Sequence, residues 1–143
     1  MSQLSCLTIS LSNIHKNYQS LQKLLGKRSK VSSVVKSNAY GLGAVQVVKA
    51  LFEAGCREFY VDTCDEGIAL RKILDNSNDI FVFKGIFLGD EEIAEEYNLI
   101  PVLNNETQIE LWDSYAKKLQ KSLPCCLHID TGMTRLGIEY DNA

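Results

Sequence analysis

Val34-Val35-Lys36-Ser37-Asn38-Ala39-Tyr40-Gly41-Leu42-Gly43 is the stretch on which the reading of this chain turns. An apolar, β-branched run ends on a lone lysine, and a polar, glycine-containing turn with a tyrosine follows at once. A lysine that finishes a buried strand loses hydration, which disfavours the ammonium form. The outcome expected is a neutral amine, the form a Schiff-base nucleophile requires. The same lysine also suits a solvated strand end, and Tyr40 also suits plain packing, so these ten residues leave both readings open. Gly41 and Gly43 point to close backbone approach or positive φ. They make no dinucleotide fingerprint, because Gln46 stands at its third glycine, and no P-loop pattern occurs.

Outward from this stretch, strand and helix patterns alternate. Strands are expected over 31–36, 58–62, 79–83, 100–103 and 125–129. Helices are expected from a Ser12 cap through Leu25, around Val45 to Phe52, over 65–74, over 90–97, and from an Asn105 cap to Leu119. Strand starts recur every 21 to 26 residues. That rhythm belongs to βα units, which build a parallel sheet covered by helices. Pro101 and Pro124 are expected at strand starts, where proline is tolerated. Two α/β architectures fit: a complete five-stranded, doubly wound, flavodoxin-like module, or the first part of a (β/α)8 barrel, which typically needs about 250 residues.

Composition narrows the function classes. With 143 residues, 45% hydrophobic and 23% charged, the chain can bury one core and has a globular make-up. A formal net charge of -3 offers no field for nucleic acid, and the densest basic group, Lys27, Arg28 and Lys30, has no interleaved aromatics. No apolar run approaches the roughly 20 residues of a membrane span, and the N-terminus lacks the pattern of a secretory signal. Cys6, Cys56, Cys64, Cys125 and Cys126 read as reduced thiols of a cytoplasmic protein. His15 and His128 are the only histidines and lack ligand spacing, so no metal is expected.

In either architecture, function sits at the carboxyl ends of the strands. Lys36, Asp62-Thr63 and the segment 130–137 all fall there. The last, Asp130-Thr131-Gly132-Met133-Thr134-Arg135-Leu136-Gly137, joins an acid, hydroxyls and an arginine whose rigid fork suits a carboxylate or phenolate. An Asp130–Arg135 pair that merely closes the loop is the competing reading.

The blocks 34–44 and 130–137 together resemble the alanine racemase family in content, order and a separation of about 100 residues. The resemblance covers essentially the whole chain. It implies a pyridoxal phosphate enzyme whose N-terminal domain is a (β/α)8 barrel, and so decides for the partial barrel, with about five βα units here. Residues 1–11 would be a short strand segment belonging with a C-terminal β-domain, and 12–143 the incomplete cofactor-binding barrel. Lys36 would form the aldimine and serve as one of two bases interconverting L- and D-alanine, which supplies D-alanine for peptidoglycan. Tyr40 would help hold the cofactor phosphate. Arg135 would lie beside the cofactor's phenolic oxygen and the substrate carboxylate. In the family the second base is a tyrosine from another subunit's C-terminal domain, so self-association or a complementing C-terminal fragment is the expected partner.

The chain departs from the family pattern in three places. His128 stands where members often carry a lysine, in some of them carbamylated, so the expected partner of Arg135 is absent or replaced. Leu42 replaces a common histidine. The later barrel strands and the second base have no counterpart in this sequence, which is therefore read as the N-terminal portion. Two alternatives remain: a non-catalytic pyridoxal phosphate-binding barrel protein and the flavodoxin-like module.

Overall fold

The computed structural model describes residues 5–26 and 28–139. In chain order it contains α1 (Leu11–Leu25), β1 (Ser33–Val34), α2 (Lys36–Tyr40), α3 (Ala44–Glu53), β2 (Glu58–Val61), α4 (Cys64–Arg71), β3 (Asp79–Val82), α5 (Asp90–Glu96), β4 (Leu99–Leu103), α6 (Glu106–Leu119), β5 (Cys126–Leu127), β6 (Ile129–Asp130) and β7 (Ile138–Glu139).

The five strands β1 to β5 are all parallel and lie in sequence order, β1-β2-β3-β4-β5. A doubly wound sheet must reverse direction at a switch point, as in the flavodoxin order 2-1-3-4-5. No reversal occurs here, so the flavodoxin-like reading falls. Right-handed crossovers that all step the same way put every helix on one face, and α3, α4, α5 and α6 pack against one another in turn. This is the winding of a barrel wall.

The strands separate two faces by their period of two. Val35, Phe59, Val61, Ile80, Val82 and Leu99 turn to the helices and are buried. The opposite, concave face carries a row in register, Val34, Tyr60, Phe81 and Ile100. There the Tyr60 ring stacks on Phe81 at 4.5 Å and on Phe83 at 5.0 Å. Val34, at the sheet edge, is left 41% exposed.

Several local expectations are corrected. Residues 7–10 form no strand, and Leu11 already opens α1, because the Ser10 side chain accepts from the Asn13 amide and caps the helix ahead of Ser12. Residues 1–4 of the expected strand segment lie outside the described residues. The first barrel strand is shorter than expected, and Lys36 lies beyond it as the first residue of α2. Pro101 sits inside β4 rather than at its start. The ladder to β5 begins only at Val102, so the missing N–H leaves no bond unmade on that side. The strand expected over 125–129 is split at His128 into β5 and β6, and β6 pairs with β7. No described helix is long and apolar enough to cross a membrane.

Candidate active site

The carboxyl ends of β1, β2 and β3 bring three charges together. The Val35 amide donates to the Tyr60 carbonyl at 2.8 Å, which carries the pairing of β1 one residue further. Two residues beyond Val34, Lys36 extends along the sheet end, with Nζ 5.7 Å from the Phe83 ring centre. Nζ also lies 3.3 Å from Oδ1 of Asp62, which follows β2. Oδ2 of the same carboxylate takes Lys84 Nζ at 2.9 Å from the end of β3. Lys84, aided by Lys36, holds the Asp62 carboxyl below the usual carboxylate range against the opposing effect of burial. The Lys36 side chain is 33% exposed and is met by a carboxylate, a partner suited to the ammonium.

The turn that carries Lys36 is left-handed. Ser37, Asn38, Ala39 and Tyr40 all have φ between 52° and 55°, a conformation that costs non-glycine residues about 1–2 kcal/mol each. Such backbone persists only where its surroundings over-determine it. Here Ala39 N–H donates to the Val35 carbonyl at 2.8 Å, and Gly41 N–H to Ser37 at 3.0 Å. The Asn38 side-chain oxygen accepts from the Ala44 amide at 2.8 Å. Ala39 is buried. Glu66 closes the arrangement from α4: Oε1 accepts from Ser37 N–H at 2.6 Å and Oε2 from Asp62 N–H at 2.8 Å. One carboxylate thus ties the lysine-bearing turn to the end of β2.

A polar cluster fixes the ends of β3, β4 and β5. The Asn104 amide nitrogen donates to the carbonyls of Phe83 at 2.8 Å and Val102 at 2.7 Å. Its oxygen therefore faces His128 Nδ1, 2.7 Å away, and that nitrogen carries the proton. Gln108 Nε2 donates to the Lys84 carbonyl at 2.7 Å, while its oxygen accepts from the Asn104 amide.

Asp130 does not pair with Arg135. Its Oδ1 accepts from the amides of Gly132 at 2.9 Å and Thr134 at 3.1 Å, which close the loop and hold the carboxyl below its usual range. Arg135 is exposed and makes no ion pair or side-chain hydrogen bond among the described residues, and the same holds for the Tyr40 hydroxyl. Lys36 follows β1 of the five-stranded sheet, whereas Arg135 lies in the loop between β6 and β7, which pair in a separate two-stranded sheet. Of the three sequence-flagged positions, Lys36 and Asp62 meet directly and the 130–137 loop stands apart. Lys84 and Glu66 went unflagged, although Lys84 obeys the same strand-end rule and Thr63-x-x-Glu66 is a capping-box pattern.

Comparison with known proteins bears on what this arrangement is. Residues 9–143 match the family described as alanine racemase, N-terminal domain. The chain is 47% identical over 138 residues to an alanine racemase of Rickettsia prowazekii, covering 96% of the chain and 34% of that protein. It is 48% identical over 138 residues to one of Rickettsia akari, covering 96% of the chain and 39% of that protein. Its fold is similar to a crystal structure of alanine racemase from Bartonella henselae with covalently bound pyridoxal phosphate. That match has a TM-score of 0.88 and 35% identity, and covers 94% of this chain and 37% of that one. The chain spans a little over a third of the length of the curated relatives it matches.

Proposed function

This chain belongs to the alanine racemase family, and on that premise we propose that it binds pyridoxal phosphate through Lys36 and acts in the interconversion of L- and D-alanine. The observation that carries the reading is the placement of Lys36: a primary amine on a locked turn at the mouth of a barrel wall. The surroundings fit the cofactor in kind. Phe83, its ring centre 5.7 Å from the amine, and the Tyr60 and Phe81 rings stacked in line with it supply apolar aromatic surface on this side of the sheet. Among the described residues Tyr40 and Arg135 have no side-chain partner, and they present polar ends for anionic groups.

Bound there, pyridoxal phosphate supplies the electron sink that lets an amino acid lose its α-proton. Lys36 Nζ holds the cofactor and moves the α-proton on its face. Tyr40 binds the phosphate, and Arg135 orients the substrate carboxylate through its planar fork. His128 is held at the end of β5 by the contact of its Nδ1 with Asn104 Oδ1. Racemisation needs a second group on the opposite face. We assign it to a partner surface, provided by self-association or by a C-terminal segment such as the longer relatives have. Residues 12–143 are then the cofactor-binding barrel portion, D-alanine for peptidoglycan is the product, and the free thiols suit the cytoplasm.

The test is exchange of the alanine α-proton in deuterium oxide with pyridoxal phosphate present, followed by NMR. Exchange above that of free cofactor, lost in Lys36→Ala, is expected. Equal exchange by the chain and Lys36→Ala would overturn the activity. Cofactor attachment without exchange would favour a non-catalytic binding barrel.

A further inference from the structure

Asp62 faces two lysines, and its two oxygens divide between them: Oδ2 holds Lys84 at 2.9 Å and Oδ1 holds Lys36 at 3.3 Å. The shorter contact belongs to the lysine that has no part in the chemistry proposed above. Charge counting shows the consequence. With both amines protonated, the trio carries one net positive charge. If Lys36 gives up its proton, Asp62 and Lys84 remain a neutral, intact pair. Without Lys84, the same loss would leave a half-buried carboxylate with no cation, which is costly.

The backbone keeps the three groups in place. Lys84 N–H donates to the Asp62 carbonyl at 3.2 Å, and Gln108 Nε2 holds the Lys84 carbonyl at 2.7 Å. Glu66 holds the Asp62 amide. The other titratable groups around Lys36 do not compete for this role. Glu66 is committed to two backbone amides. The Tyr60 phenol is raised by burial and stays neutral, as does Cys126, on the same concave face and also raised by burial. Tyr40 makes no side-chain hydrogen bond among the described residues.

We propose that Asp62 and Lys84 are positioning residues for Lys36, with Asp62 fixing the place of Nζ and Lys84 carrying the carboxylate's charge so that Lys36 can become a free amine. The inference deepens the reading of Lys36 as the cofactor lysine and rests on it for its purpose. Its test does not depend on that cofactor.

The probe is formaldehyde with cyanoborohydride, small reagents that methylate amines in their unprotonated form. Methylation of Lys36 in the full chain is followed by peptide mass spectrometry near neutral pH, with the exposed Lys16 as internal reference. Lys84→Met is expected to slow methylation of Lys36 by about tenfold, as Asp62 turns wholly to Lys36. Lys84→Arg keeps the charge and the wild-type rate. In an Asp62→Asn background the Lys84→Met effect shrinks to about twofold or less, because the coupling runs through the carboxylate. A Lys84→Met rate equal to wild type, or slowed by the same factor in both backgrounds, overturns the proposal. In parallel, pyridoxal phosphate is added to the same proteins. Failure of cofactor attachment at wild-type Lys36, with the methylation order intact, overturns only the cofactor reading.

Discussion

Lys36 shares its carboxylate, and that sharing has a pH signature. Asp62 titrates below its ordinary value in the folded chain because of Lys84 and then Lys36. A carboxyl with a depressed folded pKa stabilises the fold above its unfolded value of about 3.9 and loses that contribution as pH falls through the folded value. Asp62→Asn should therefore flatten the loss of stability below about pH 4, measured by urea unfolding across pH. An acid limb as steep as wild type would contradict it. At this scale the sequence was partly legible. The strand-end rule found Lys36 and Asp62 but was not applied to Lys84, one residue past the expected third strand. It also missed that Lys36 meets an anion, because burial estimated along one strand says nothing of what the next strand end presents.

The lysine-bearing turn is the element on which positioning depends, and its handedness could not be read from composition. Four consecutive non-glycine residues adopt positive φ, while the glycines that would normally signal this follow at 41 and 43. Tertiary acceptors decide the matter, Glu66 foremost. Glu66→Gln keeps the size but turns an amide donor toward backbone N–H groups. It should destabilise the chain by about 1–3 kcal/mol in urea titrations and slow cofactor attachment to Lys36. Unchanged stability would show that Glu66 does not hold the turn. The Asn105 cap of α6 was legible, and its side chain does accept from the Gln108 amide at 2.9 Å. Asn105→Ala should cost about 1 kcal/mol by thermal unfolding, without touching attachment at Lys36.

At the scale of the molecule, periodicity yields βα units but not their spatial order, since each unit looks the same whichever way the next crossover steps. The consecutive parallel order decides for a barrel wall, and the two motif blocks had already pointed there. That wall leaves apolar surface open: Val34 on the concave face, and Leu127 at β5, 49% exposed. Sedimentation velocity should show association that grows with protein concentration, and a Leu127→Lys variant should weaken it. Concentration-independent monomer would count against self-association.

The most direct measurement is to add pyridoxal phosphate to the chain, reduce with borohydride, and locate the covalent product by mass spectrometry. The proposal predicts a pyridoxyl group on Lys36, retained in Lys84→Arg and absent from Lys36→Ala. A folded protein carrying no product, or carrying it equally on Lys84 and the surface lysines, would contradict the assignment of Lys36 as the cofactor lysine.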